Sequence, residues 1–143
     1  MKYVAELLKK KGHDIWSVDP DTPVFKALQL MSDKNCGTVL VLEEEKLVGI
    51  FSERDYARKV ILKGKSSKDT SVEEIMSSKV VCIRPTQTIE DCMALMTDKR
   101  VRHLPVMEEE GTLVGLISIG DVVKEVISEQ EFIITQLESY ISS

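Results

Sequence analysis

The chain carries the same sequence twice. Pro20–Val41 matches Pro85–Val106 at a constant offset of 65, with Leu30-Met31 on Leu95-Met96 and Asp33-Lys34 on Asp98-Lys99. After one inserted residue the offset is 66: Leu47-Val48-Gly49 falls on Leu113-Val114-Gly115, Ser52 on Ser118 and Asp55 on Asp121. A period this long with a single-residue slip marks a duplicated module rather than a short solenoid repeat. Each copy closes on the signature Gly-apolar-apolar-Ser-x-x-Asp. A duplicated core requires repeated apolar residues; a repeated Ser and Asp need a further reason.

Length and charge narrow the class. The 143 residues make one domain or two small halves sharing a core. A net charge of −5 argues against general nucleic-acid binding, which needs a basic face. Aromatic residues are sparse, and no base-stacking platform is visible. No apolar run approaches the length of a membrane span, and the N-terminus lacks the apolar stretch of a secretory signal. Cys36, Cys82 and Cys92 form no Cys-x-x-Cys pair. They read as reduced thiols in a reducing, cytoplasmic compartment, without zinc-ligand spacing. His13 and His103 lie far apart with no nucleophile motif, and no GxGxxG or P-loop is present. The expectation is a protein that is not an enzyme.

The periodicity predicts a short amphipathic helix over Lys2–Lys11, stopped by Gly12, then a strand over Ile15–Val18. Thr22 is expected to cap a helix whose first residue is Pro23 and whose apolar positions are Val24, Ala27, Leu28 and Met31. Thr38–Leu42 and Lys46–Phe51 form a hairpin around Glu43-Glu44-Glu45, and Ser52 opens a helix to about Leu62. The second copy repeats this order. It has a strand over Val80–Ile83 and a Thr88-capped helix carrying Ile89, Cys92, Met93 and Met96. A hairpin follows from Leu104–Met107 and Leu113–Ile117, then a helix from Ser118 to about Ser128. Between the copies, Ser71-Val72-Glu73-Glu74 reads as a capping box for one short helix ending near Met76. After Glu129, Phe132, Ile133, Leu137, Tyr140 and Ile141 mark a last amphipathic helix.

The chain is therefore expected to be α+β, with two β-α-β-β-α repeats packed as a pseudo-two-fold pair and a helix at each end. The expected boundaries are residues 1–12 for the first helix, 13–63 for repeat 1 and 64–77 for the linker. Residues 78–128 make repeat 2, and residues 129–143 the last helix. A unit of about fifty residues buries too little surface to stand alone, which favours packing the two copies together. The repeat order, the paired endings and Val101-Arg102-His103-Leu104-Pro105-Val106 together resemble the cystathionine-β-synthase (CBS) domain. Two in tandem resemble a CBS pair, or Bateman module, over about residues 10–128. Phe51–Arg58 and Ser118–Val123 further resemble small stand-alone CBS-pair proteins of bacteria and plant organelles.

The resemblance implies regulatory binding of an adenosine ligand. AMP is the first choice, with ADP, ATP, NAD(H) or S-adenosylmethionine as others. Sensing of energy or redox state would modulate an unidentified partner protein. Ser52 and Ser118 sit where a strand turns into a helix, so their hydroxyls and the first-turn N–H groups meet an incoming anion or ribose oxygen. Asp55 and Asp121, three residues on, supply the carboxylate that accepts from both hydroxyls of a ribose cis-diol. In the family the adenine lies on the first strand of each copy. This implies Ser17 at one site and Val81, Cys82 and Ile83, with Pro105, at the other. Arg102 and His103 stand where the first copy has Gly37 and Thr38, so the second site is expected to hold phosphate better. The family's two-fold arrangement would bring Arg54 to the same site, and Arg58 is a weaker phosphate candidate.

Other readings of the same residues stay open. Ser-x-x-Asp at a helix start is also a helix cap, stabilising by about 0.5–2 kcal/mol without any ligand. Arg102-His103 also reads as a solvated strand end, and His103 as a packed histidine satisfied by backbone. The rival function is a ligand-independent dimerisation scaffold. The apolar stripes of both terminal helices, Val4, Leu7 and Leu8 at one end and Phe132–Ile141 at the other, point to a homodimer. CBS pairs commonly associate two-fold with helices facing helices. No nucleic-acid or membrane partner is expected.

Overall fold

The computed structural model describes residues 2–142. Met1 and Ser143, the outermost residues of the two expected terminal helices, lie outside the described residues. Two compact units are present: residues 14–80 form one, while the chain up to His13 and from Val81 onward forms the other.

In the unit of residues 14–80, β1 (Ser17–Val18) pairs parallel with β2 (Thr38–Glu43), which pairs antiparallel with β3 (Lys46–Ser52). Helix α2 (Val24–Lys34) buries Val24, Ala27 and Met31 against Val39, Val41 and Phe51 of this sheet. Pro23 is the N-cap of α2 rather than its first residue, and Thr22 does not cap it. The Thr22 carbonyl is instead taken by the Val72 N–H at 2.8 Å, in a ribbon where Pro23 bridges Ser71. The helix that Ser52 opens is α3 (Glu53–Asp55), which widens at once into a π-helix over Tyr56–Ile61. Helix α4 (Val72–Ile75) closes the unit, with the Ser71 N–H donating to Glu74 Oε2 at 2.8 Å as the capping box requires. The segment expected to be a linker thus packs on repeat 1.

The second unit holds α5 (Ile89–Lys99), the hairpin of β4 (His103–Met107) and β5 (Leu113–Ser118), and α6 (Ile119–Ser142). Thr88 caps α5 as expected, accepting from the Asp91 N–H at 3.1 Å. The single-residue slip between the copies lies in the hairpins. Glu44 and Glu45 make a two-residue turn at φ 49° and 66°, whereas β4 and β5 are joined by a longer loop with Gly111 at φ 95°. The expected strand over Val80–Ile83 shrinks to one bridge, Ile83 to Val106. Its cause is Pro105. In repeat 1 the Leu40 N–H donates to the Trp16 carbonyl at 3.0 Å, extending β1. Pro105 matches Leu40 and has no N–H, so the ladder stops at Ile83 and the Val81 carbonyl loses that partner.

The first helix, α1 (Val4–Lys11), is part of this second unit. Val4, Leu7 and Leu8 are buried among Ile83, Leu104, Val106 and Ile117. Its apolar stripe is therefore covered by its own chain, contrary to the expectation that it faces a second copy. Gly115 explains the fit: a Cβ there would lie 2.7 Å from Leu8 Cδ2. Gly49 does the same for repeat 1, where a Cβ would meet Met76 Sδ at 2.3 Å. The glycine of the repeated signature admits a packed helix. Met76 is half-buried and unbranched, so it can move aside, whereas Leu8 is 1% exposed. Gly115→Ala is expected to cost about 1–3 kcal/mol and Gly49→Ala clearly less, in urea unfolding of the two variants. Equal losses would contradict this account.

The last expected helix is not separate. α6 runs unbroken through Glu129 to Ser142. Its second half exposes Phe132, Leu137, Tyr140 and Ile141, which answers the question of the two stripes differently at the two ends.

Candidate functional site

In both repeats the last strand runs directly into the last helix, and the repeated Ser and Asp meet at that junction. The Ser118 N–H donates to Asp121 Oδ2 at 2.9 Å, and the Asp121 N–H donates to Ser118 Oγ at 3.2 Å. In repeat 1 the Ser52 N–H and hydroxyl donate to Asp55 Oδ2 at 3.0 and 3.1 Å, and the Asp55 N–H returns to Ser52 Oγ at 3.2 Å. The capping reading therefore holds in both copies. The junctions are pinned to the preceding strand: Ile119 N–H donates to the Arg102 carbonyl at 2.8 Å, and Glu53 N–H to the Gly37 carbonyl at 3.0 Å. With His103 opposite Ser118 in the hairpin register, this brings Arg102 and His103 to the Ser118–Asp121 corner.

Each Asp also carries a lysine, and the two lysines come from different places. In repeat 1 it is Lys59, one turn along, 3.3 Å from Asp55 Oδ1 and donating to the Ile75 carbonyl at 3.1 Å. In repeat 2 it is Lys11 of α1, 2.6 Å from Asp121 Oδ2 and also donating to the Leu116 carbonyl. The residue matching Lys59 is Glu125, buried at 6% exposure, which pairs with Lys2 and, at 3.6 Å, with Lys10. Asp121 and Glu125, one turn apart on α6, thus receive three lysines of the N-terminal segment. The sequence pattern places these lysines on a short amphipathic helix and names no partner for them. The available signal was the reversal of sign between Lys59 and Glu125 at matched positions, which leaves the second acidic pair in need of cations from elsewhere.

The electrostatics follow from this packing. Burial raises the Asp121 carboxyl, but the Lys11 ammonium and the Ser118 hydrogen bonds outweigh it and hold the pKa below the usual value. His103 is half-buried. Its pKa is held below the ordinary imidazole value by that burial and by Lys11 and Arg102, with Asp121 opposing. At neutral pH the corner therefore contains a neutral imidazole, one carboxylate and two cations, Lys11 and Arg102. Repeat 1 is built with the other sign. A Cβ on Gly37 would lie 3.7 Å from the Glu53 carboxyl carbon, so an acidic side chain occupies the neighbourhood that Arg102 takes in repeat 2.

The remaining expected site residues spread over both units. Ser17 is exposed on β1; Arg54 and Arg58 are exposed on the helix after β3. Val81 and Cys82 are half-buried beside the buried Ile83 and Pro105. Burial raises the Cys82 thiol and pushes Cys92 up to about 11, so neither is a ready thiolate at neutral pH. Among the described residues no group of three or more His, Cys, Asp or Glu is placed to hold a metal ion.

The buried acid of α6 predicts a pH response. Lys2, with help from Lys10, holds Glu125 below its usual carboxyl pKa against the opposing effect of burial. A group with a depressed folded pKa contributes stability above its unfolded pKa and loses it as pH falls through the folded one. Asp121 has the same sign, and so does His103, whose loss begins nearer its unfolded value of about 6.5. Melting temperature is expected to fall on acidification from about pH 6.5, most steeply below about pH 4.5. Glu125→Gln should flatten the acidic limb in thermal melts, and an unchanged limb would show that the lysine–Glu125 contacts contribute nothing.

A family model of the CBS domain matches residues 4–62 and again residues 72–128. The chain belongs to the CBS-domain family. It is similar to the mitochondrial CBS domain-containing protein CBSX3 of Arabidopsis thaliana, 38% identical over 148 residues covering 96% of this chain and 71% of that protein. The crystal structure of the CBS domain protein NE2398 has a TM-score of 0.84 at 51% identity, covering 88% of this chain and 98% of that one. The CBS pair of protein MJ0100, solved with 5′-methylthioadenosine and S-adenosyl-L-methionine, shares the fold at a TM-score of 0.80 and 19% identity, over 90% and 98% of the two chains. The CBS assignment covers both copies, so the duplication is a CBS pair and the chain a regulatory module of that class. Among the described residues no helix is long and apolar enough to cross a membrane.

Proposed function

We propose that this CBS pair is a cytoplasmic adenine-nucleotide sensor, with AMP as its preferred ligand, and that it regulates a partner protein instead of catalysing a reaction. The observation that carries the reading is the corner of repeat 2. There Asp121 is held at a helix start beside Ser118, with Lys11, Arg102 and His103 around it. A carboxylate there takes a ribose cis-diol, and the cations take a phosphate. The stub of strand at Ile83 supports the same reading. Pro105 removes the ladder N–H that the Val81 carbonyl would otherwise accept, leaving this backbone edge for an adenine amine. The MJ0100 pair shows that the fold accommodates adenosyl compounds in another protein. Binding would act by differential affinity for two settings of the module.

The exposed second half of α6 favours one addition to this reading, association of two copies of the chain. A scaffold that dimerises without a ligand is the rival it raises. Mass spectrometry of the purified, denatured protein separates them, together with calorimetric titration by AMP, ATP, NAD(H), S-adenosylmethionine and adenosine. Retained or titratable adenosine ligand is expected. A protein that carries none, and takes up none at millimolar concentration, is the scaffold.

A further inference from the structure

Lys11 lies outside every expected contact for a ligand, yet it reaches the centre of the corner. It is the last residue of α1, where its charge also suits the helix C-terminus. Its ammonium lies 2.6 Å from Asp121 Oδ2, donates to the Leu116 carbonyl on β5, and lowers the proton affinity of His103. Leu8, packed over Gly115, and the Lys2 and Lys10 pairs with Glu125 hold the helix that delivers it. With Asp121 ionised, Lys11 is neutralised by it. A ribose cis-diol that uses both carboxylate oxygens competes with Lys11 for Oδ2. The ammonium then needs another anion, within reach of its flexible four-carbon stem.

We propose that Lys11 is the phosphate-selecting residue of this site: it guards the Asp121 carboxylate when the site is empty and turns to the phosphate when a nucleotide's ribose displaces it. The proposal rests on the adenine-nucleotide reading above. It makes the empty site a neutral pair, which costs less in a half-buried corner than a lone carboxylate. It also gives the site a preference for phosphorylated over neutral nucleosides that depends on α1 being docked. A ligand without the anion must displace Lys11 and leave it unpaired.

The test is calorimetric titration of the full chain with AMP and with adenosine. Lys11→Gln is expected to weaken AMP by about tenfold or more and to leave adenosine unchanged or tighter. Lys11→Arg should restore most of the AMP affinity. Lys9→Gln, at an exposed position of α1, should keep the wild-type ratio of the two ligands. If Lys11→Gln does not fold because Asp121 is left unpaired, Asp121→Asn with and without Lys11→Gln removes that charge. The double variant should then bind AMP more weakly than Asp121→Asn alone. Tighter AMP binding in Lys11→Gln would make Lys11 a plain competitor of the ligand and overturn the proposal. Equal changes for AMP and adenosine would overturn it too, by making Lys11 a packing residue. A wild-type chain that binds AMP with no response to Lys11 refutes this inference alone; one that binds neither ligand refutes the nucleotide reading with it.

Discussion

Asp121→Ala is expected to weaken AMP binding by roughly tenfold to a hundredfold, the effect of losing a charge-assisted hydrogen bond of about 1.5–3 kcal/mol. Asp55→Ala should weaken it much less. Both carboxylates sit at the same geometric place, so position alone does not separate them. Their surroundings do. Asp55 is enclosed by local partners, the Ser52 amide and hydroxyl and Lys59 one turn on. The Glu53 carboxyl beside Gly37 adds a second negative charge to that corner, which opposes an anionic ligand. Around Asp121 the excess is positive, from Lys11 and Arg102. Asp121→Ala also removes a helix cap, so the comparison needs a structural control. Asp121→Asn keeps an acceptor for the Ser118 amide while losing the charge, and should fold closer to wild type yet still bind AMP weakly. Calorimetry on the three variants checks this, and a larger loss at Asp55 than at Asp121 would overturn the site assignment.

The duplicated fold was legible in the sequence because its signals are local and strong. Val24, Ala27 and Met31 face the core at the spacing that predicts α2, and Thr88 caps α5 where the pattern places it. The Ser-x-x-Asp corners were legible for the same reason. The readings that failed depended on partners distant in sequence. Nothing near Val80 announces that Pro105, far along the chain, cuts its ladder short. Thr22 looks like a cap until Val72 claims its carbonyl. Nothing near Lys11 announces its partner, and only the packing of Leu8 over Gly115 carries it to Asp121. The glycine of the signature was visible as a repeat, but its role requires knowing which helix lies on it. Elements were therefore readable where short-range pattern decides them, and the charge balance of the site was not.

Deleting residues 129–143 is expected to convert a dimer into a monomer. In the second unit α6 runs on beyond the core, and every described residue from Glu131 onward is exposed. On one face of it Ile134 is 53% exposed, Leu137 57% and Ile141 80%. A helical extension of this length is marginal in water by itself, because nucleation and propagation gain too little over so few residues. An apolar stripe is the usual means of stabilising one, by packing against something. Here the stripe also continues toward the core. Ile119, Val123 and Ile127 are exposed on the same helix, four residues apart, and border a groove of about 340 Å³ against Met93 and Met96 of α5. A contiguous apolar surface of this extent marks an association site in a water-soluble protein. A second copy of the chain fits it best, because a two-fold contact sets the same stripe against itself and extends it with the groove. The expected result in sedimentation velocity is a dimer for the full chain at micromolar concentration and a monomer for the truncated one. Val123→Glu, at the groove and outside the deleted segment, should act in the same direction. The truncated chain should keep its AMP affinity, since Ser118, Asp121 and Lys11 all lie outside the deletion. A full-length chain that sediments as a monomer would end the proposal, and a dimer that survives both changes would place the contact elsewhere.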